Sequence, residues 1–365
     1  MVTVGDEPLR ILLDGTPLLG TRTGIGRYTA SLLEELAALP EVDTRAVAFT
    51  LRGWRKLRRV LPHDTQARGM PVAARALRKM WCYTDFPQVE LFAGRSDVVH
   101  GTNFVLPATA RARRVLTIHD MSPLHTPQHL PASDAELPTL IRKGARRAHA
   151  VCTPSSGVAE QLRTELELDP HRVFVTPLGV DPAWFTARPP DTALRQRLDL
   201  PEEYLLFIGA AGERKGLNWL VEAHEHAPDL PPLVFVGPGR FPVSARRRHP
   251  GYVTEPELQQ VLAGASALVL PSVDEGFGLP ALEAMACDVP VVCSDIPVLR
   301  EVTGGDSNAY LLQHGDVASL VSALRTARQQ RPGPEQVAHR RAHAASYTWR
   351  RCAQATVAAY RAAVA

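Results

Sequence analysis

The chain of 365 residues has little excess charge. Lys and Arg number 41, Asp and Glu 38, for a formal net charge of +3. Such a balance leaves no electrostatic footprint for nucleic acid, and none is expected as a partner. No apolar run is long enough to span a bilayer. The opening MVTVGDEPLRILLDG has no signal-peptide core. Cysteine is scarce and scattered: Cys82, Cys152, Cys287, Cys293 and Cys352, with no C-x-x-C pair. That argues against a disulfide framework and a structural zinc site, and suits a reducing cytoplasm. What is present is ample apolar matter, 45% of residues. It is enough for two α/β domains with cores of their own.

Apolar runs alternate with helical stretches throughout, the pattern of parallel sheets. The first strand is expected at Arg10–Asp14 and the first helix at Gly24–Leu39. Further strands are expected at Ala46–Thr50, Val98–His100, Val115–His119, Ala150–Thr153 and Val173–Thr176. A second set begins at Tyr204–Gly209 and continues at Leu233–Gly237, Ala267–Leu270 and Val289–Ser294. The proline-rich Asp181–Pro201 reads as a linker. A last helix is expected from about Ser346, with Trp349 and Tyr360 as packing anchors.

The richest segment is Pro271–Val292, PSVDEGFGLPALEAMACDVPVV. It follows a buried-strand run, and Pro280 suits the first turn of a helix. Amides around Gly278 and Leu279 would then point out of the helix N-terminus, a place for a diphosphate. Glu275 and Glu283 bracket that place. Glycine spacing of this kind is not needed for capping alone.

The string E-G-F-G-L-P-A-L-E resembles the E-x7-E signature of the family-4 retaining glycosyltransferases. The resemblance implies the GT-B fold: two Rossmann-like α/β domains facing across a cleft. Residues 1–185 would form the acceptor-binding domain and 186–345 the nucleotide-sugar domain. Residues 346–365 would be a helix crossing back to the first domain. By the same resemblance Glu275 meets donor-sugar hydroxyls, Glu283 the ribose, and the amides of Gly278 and Leu279 a phosphate, with Phe277 between them. The loop Ala210–Gly216 would supply a basic pair to the diphosphate. Lys215 matches the family lysine. Ala210 stands where relatives often carry the arginine, so Arg214 either replaces it or is a surface neighbour. Gly251–Val253 matches a nucleobase-contacting position, with Val253 at its end.

In the first half, Thr23-Gly-Ile-Gly-Arg-Tyr28 resembles a family segment whose glycines, here Gly24 and Gly26, let backbone approach the donor. Read as a dinucleotide fingerprint it fails, because the third glycine position falls on Thr29. Thr117-Ile-His-Asp120 matches the family H-D. It implies a turnover role for His119, and Asp120 either orients it or touches acceptor hydroxyls. His100 is a second candidate at a strand end. His119, His125 and His129 lie close in sequence, but Pro123 and Pro127 break any helix that could align them on a metal. No cofactor is expected beyond the sugar nucleotide as co-substrate.

The implied function is a metal-independent retaining hexosyl transfer from a nucleotide-diphosphate sugar to an acceptor hydroxyl. GDP-mannose is favoured over a UDP-hexose. The acceptor is a glycan, a glycolipid or a small molecule. The alternatives are a non-catalytic sugar-nucleotide-binding subunit and a GT-B sugar-nucleotide epimerase or hydrolase. The basic run Arg52–Arg59 either faces solvent or touches an anionic membrane surface, which would place a cytoplasmic protein at the inner face.

Overall fold

Two sheets, each with every ladder parallel, organise the chain in a computed structural model that describes residues 7–20, 24–51, 53–63, 65–68, 71–330 and 333–365. The first contains β1 (Leu9–Asp14), β2 (Val42–Val47), β3 (Gln66–Arg68), β4 (Val98–Gly101), β5 (Arg113–Thr117), β6 (Ala150–Thr153) and β7 (Val173–Val175). Its order is β3-β2-β1-β4-β5-β6-β7. The second contains β8 (Leu205–Ile208), β9 (Leu233–Val236), β10 (Arg247–Arg248), β11 (Ala267–Leu270), β12 (Val291–Ser294) and β13 (Tyr310–Leu312). Its order is β10-β9-β8-β11-β12-β13. In both sheets the order reverses beside the first strand, at β1 and at β8. Ligands of doubly wound sheets bind outside the strand carboxyl ends at such reversals.

Every strand expected from the sequence is present. β2 starts four residues earlier than expected, and β5 stops at Thr117, which leaves His119 in the following loop. Three strands were not anticipated: β3, β10 and β13. The central strands read as unbroken apolar runs because both of their faces are covered. Ile11–Leu13, Ala267–Val269 and Val292 have no exposed surface.

The chain divides into two compact units, residues 1–179 with 349–365, and residues 180–348. The helix Trp349–Val364 belongs to the first. It packs on the helix Gly24–Ala37 and on β5, β6 and β7. Its buried residues, Trp349, Cys352, Ala353, Thr356, Val357, Tyr360 and Ala363 among them, recur at three- and four-residue steps on one face. Trp349 and Tyr360 are both buried, as expected of anchors.

Asp181–Pro201 is not a free linker. It carries a 3-10 turn at Pro182–Thr186 and a helix at Thr192–Arg197, capped by the side chains of Asp181 and Asp191. Trp184 from this segment has no exposed surface. Pro182 starts the 3-10 turn, where its missing N–H costs nothing, Pro189 and Pro190 precede the Asp191 cap of the helix, and the segment belongs to the second unit. Among the described residues no helix is long and apolar enough to cross a membrane.

Candidate active site

In the second unit, β11 ends at Leu270 and the chain turns through Pro271–Phe277 into the helix Leu279–Ala286. Gly278 caps this helix with φ 88°, ψ 39°, a left-handed conformation. A Cβ there would also meet the Leu299 side chain at 2.5 Å. The left-handed backbone favours glycine, and any Cβ would in addition force the Leu299 side chain to shift. Pro280 occupies the first turn, and Glu283 follows in the second, almost fully buried. Phe277 and Leu279 are buried on either side of the cap.

Glu275 is buried in the loop before the helix. Its Oε1 accepts from Lys215 Nζ at 2.5 Å and from Ser272 Oγ at 2.7 Å. Lys215 closes the 3-10 turn Glu213–Lys215 that follows β8. The two strand-end loops are also joined by one side-chain and one main-chain bond to backbone carbonyls. Arg214 Nη1 donates to the Asp274 carbonyl at 2.8 Å, and the Val273 amide donates to the Arg214 carbonyl at 2.8 Å. The structure thus brings Lys215, Arg214 and Glu275 together, with Gly278, Leu279 and Glu283 on the adjoining helix. Arg214 serves as a strut between the loops, while Ala210 is exposed. Val253 is half-buried immediately before Thr254, the N-cap of the helix Glu255–Ala263.

In the first unit, His119 is buried in the loop after β5. Its Nε2 lies 2.9 Å from the Thr102 carbonyl. A carbonyl only accepts, so Nε2 carries the hydrogen and Nδ1 is the bare acceptor of the neutral ring. Burial pushes the His119 pKa down, partly opposed by the Thr102 bond and the nearby Asp120. The ring is held edge-on by Tyr28, with centroids 4.9 Å apart, and by Phe104 at 5.7 Å. Asp120 Oδ1 accepts from the Ser122 amide at 3.0 Å and from Ser122 Oγ at 2.6 Å, which ties it to the following turn.

His100 is not an open strand-end group. It has no exposed surface, and both ring nitrogens are engaged, with Tyr360 Oη at 2.7 Å and Thr117 Oγ1 at 2.7 Å. Burial, followed by the proximity of His119, pushes its pKa down to about 3. Sequence position alone does not distinguish it from His119. Of the clustered histidines, His125 Nε2 bonds Glu165 Oε2 at 2.8 Å, whereas His119 Nε2 bonds the Thr102 carbonyl. Gly24 begins the helix Gly24–Ala37 exposed, and Gly26 is buried within it. Thr23 lies outside the described residues.

Residues 22–184 match the family model for Glycosyltransferase Family 4, and residues 202–330 match that for Glycosyl transferases group 1. The O-antigen chain mannosyltransferase B of Escherichia coli is 26% identical over 391 residues, covering 97% of this chain and 100% of that one. The alpha-maltose-1-phosphate synthase of Mycolicibacterium smegmatis is 31% identical over 280 residues, 68% of this chain and 72% of that protein. The chain belongs to the family-4 glycosyltransferases.

Its fold is GT-B. The sucrose-phosphate synthase structure from Thermosynechococcus elongatus superposes with a TM-score of 0.70 at 18% identity, covering 97% of this chain and 98% of that one. This glycosyltransferase carries two residues near its candidate groups that motif reading did not single out. Ser272 sits on Glu275. Asp14 ends β1 at the strand-order reversal, 6% exposed, with Oδ1 accepting from the Thr16 amide at 2.9 Å. Burial raises the Asp14 pKa to about 6, against the pull of its Thr16 bonds. A polar residue closing an apolar strand was the available signal for Asp14. Ser272 offered none, because serine after a strand is ordinary loop chemistry.

Proposed function

We propose that this glycosyltransferase moves a hexosyl group from a nucleotide-diphosphate sugar to an acceptor hydroxyl, with retention and without a metal ion. The carrying observation is the pair of half-buried Lys215 and buried Glu275 beside the helix that Gly278 caps. It combines a cation and a helix N-terminus for the diphosphate with a carboxylate for sugar hydroxyls. Glu283 is the ribose ligand of this reading. GDP-mannose is the first candidate donor and a UDP-hexose the second. The likeness to an O-antigen mannosyltransferase, which extends over nearly the full length of both chains, supports that order.

In the reaction the acceptor oxygen bonds the anomeric carbon as the bond from that carbon to the phosphate oxygen breaks. The bonding electrons leave with the diphosphate, which also takes the acceptor proton. Lys215 and the helix end stabilise the charge that develops on it, so no ion is needed. His119 accepts a hydrogen bond from a donor-sugar hydroxyl at Nδ1. Phe277, Val253 and Arg214 are further donor-side candidates of the second unit in this reading, and Asp120, Gly24 and Gly26 further candidates of the first.

The acceptor is a glycan, a glycolipid or a small molecule. Arg55, Lys56, Arg58 and Arg59 are exposed on the helix Trp54–Val60 while Leu57 is buried. That distribution suits contact with anionic headgroups at the inner face of a membrane. Arg52 lies outside the described residues.

The test is a thermal-shift screen with UDP, GDP, ADP and dTDP, with Mg²⁺ and with EDTA. At a hundred times its Kd a nucleotide adds about 2.7 kcal/mol, roughly several degrees in Tm. One nucleotide should stabilise equally in both conditions. No response to any of the four would overturn the donor-site reading. NMR of the product's anomeric signals then decides retention.

A further inference from the structure

We propose that Ser272 is a positioning residue for donor-sugar recognition: its hydroxyl fixes Glu275 so that one carboxylate oxygen faces the sugar. The proposal rests on the donor reading above and assigns a role to a residue outside the E-x7-E signature.

Ser272 has no exposed surface, and Glu275 is 7% exposed. Both hydrogen bonds to Glu275, from Ser272 Oγ and Lys215 Nζ, converge on the same oxygen, Oε1. Oε1 is thereby committed to protein, and Oε2 is left to address a ligand. A carboxylate free to rotate about its last torsion would offer either oxygen and lose that definition. The two anchors differ in kind. Lys215 is long, and in the donor reading its ammonium must also serve the diphosphate. Ser272 has one rotatable bond and no competing partner. When phosphate draws on Lys215, the serine hydroxyl is the anchor that stays.

The seat of Ser272 is rigid. The preceding carbonyl, Pro271 O, accepts from His314 Nδ1 at 3.1 Å. Gly216 presses against the same carbonyl: a Cβ there would lie 1.9 Å from it, and its φ is +64°. The chain following β8, the loop following β11 and the loop following β13 therefore meet at Pro271–Ser272. A hydroxyl needed only for its own satisfaction could bond any nearby carbonyl. This one is placed on the buried acid that already has a cationic partner.

The experiment compares GDP with GDP-mannose, and UDP with UDP-glucose, by titration calorimetry on wild type, Ser272→Ala, Ser272→Thr, Glu275→Gln and the Ser272→Ala/Glu275→Gln double variant. Wild type should bind its sugar nucleotide more tightly than the bare diphosphate. Ser272→Ala should reduce that preference roughly tenfold and leave diphosphate affinity unchanged. Ser272→Thr, which keeps the hydroxyl, should restore it. In the Glu275→Gln background, Ser272→Ala should cost nothing further, because the serine acts through the glutamate.

A full preference retained in Ser272→Ala overturns the proposal. So does an equal loss for sugar nucleotide and diphosphate, or a further loss in the double variant. Wild type that binds none of the four ligands overturns the donor reading itself, and this proposal with it.

Discussion

Asp14 is a carboxylate held where water is nearly absent, and the fold bears the cost. Its pKa of about 6 exceeds that of an exposed aspartate, 3.8. Between those values the folded chain keeps a proton that the unfolded chain has released. Stability from this group therefore falls as pH rises through about 4 to 6. Asp14→Asn keeps the oxygen that receives the Thr16 amide and removes the charge. It should raise stability by about 1–3 kcal/mol at pH 7.5, and the gain should vanish near pH 4. Denaturant melts at the two pH values check this, and an unchanged midpoint at pH 7.5 would refute it. His100 works in the opposite sense. Its pKa near 3 means that the unfolded chain gains a proton first, so its contribution is lost as pH falls below about 6.5. Lys215→Ala leaves the Glu275 carboxylate with Ser272 as its remaining hydrogen-bond partner. It should weaken nucleoside diphosphate binding on the order of tenfold to a hundredfold. Calorimetry with the nucleotide selected by thermal shift measures that loss.

A chain of buried polar contacts ties one helix to the strands beneath it. Tyr360 on the helix Trp349–Val364 bonds His100, His100 bonds Thr117, and Thr117 bonds Tyr28 Oη at 2.9 Å. Tyr360→Phe would leave a buried imidazole nitrogen without its partner, at about 1–3 kcal/mol. Equilibrium unfolding monitored on the first unit should register the loss; full stability would mean that water or another group fills the gap. This network could not be read from sequence, because its members lie up to 260 residues apart. The central strands could be read, since burial on both faces writes them as apolar runs. The three that escaped, β3, β10 and β13, are all edge strands of two or three residues: Gln66–Arg68, Arg247–Arg248 and Tyr310–Leu312. An edge strand pairs on one side only, so β3 and β10 can stay polar, while β13, Tyr-Leu-Leu, is too short to stand out as an apolar run. Prolines misled for a related reason. In Asp181–Pro201, Pro182 opens a capped turn, and Pro189 and Pro190 lead into a capped helix rather than marking slack chain. At the candidate site the helix start was legible, because a left-handed cap at Gly278 and Pro280 in the first turn constrain residue type and position together. Ser272 and Asp14 were not, since their significance depends on burial and on one partner each.

On the scale of the whole molecule, residues 180–348 carry a sheet and a core of their own, built on Phe207, Leu220, Phe235, Val269 and Leu324. Produced alone, that segment should unfold cooperatively and retain nucleotide binding, as calorimetry and a thermal-shift assay would reveal. Residues 1–179 alone should not fold stably, because the helix Trp349–Val364 covers β5, β6 and β7. Adding residues 349–365 as a separate peptide should restore structure, and circular dichroism with and without the peptide tests it. That returning helix has a consequence in time as well as space. A ribosome makes the first unit's strands early but delivers their covering helix only after every residue of the second unit. The unit synthesised second is thus the first able to complete its fold. The unit synthesised first must wait with β5, β6 and β7 uncovered, and during that interval it is the part of the nascent chain most in need of a chaperone.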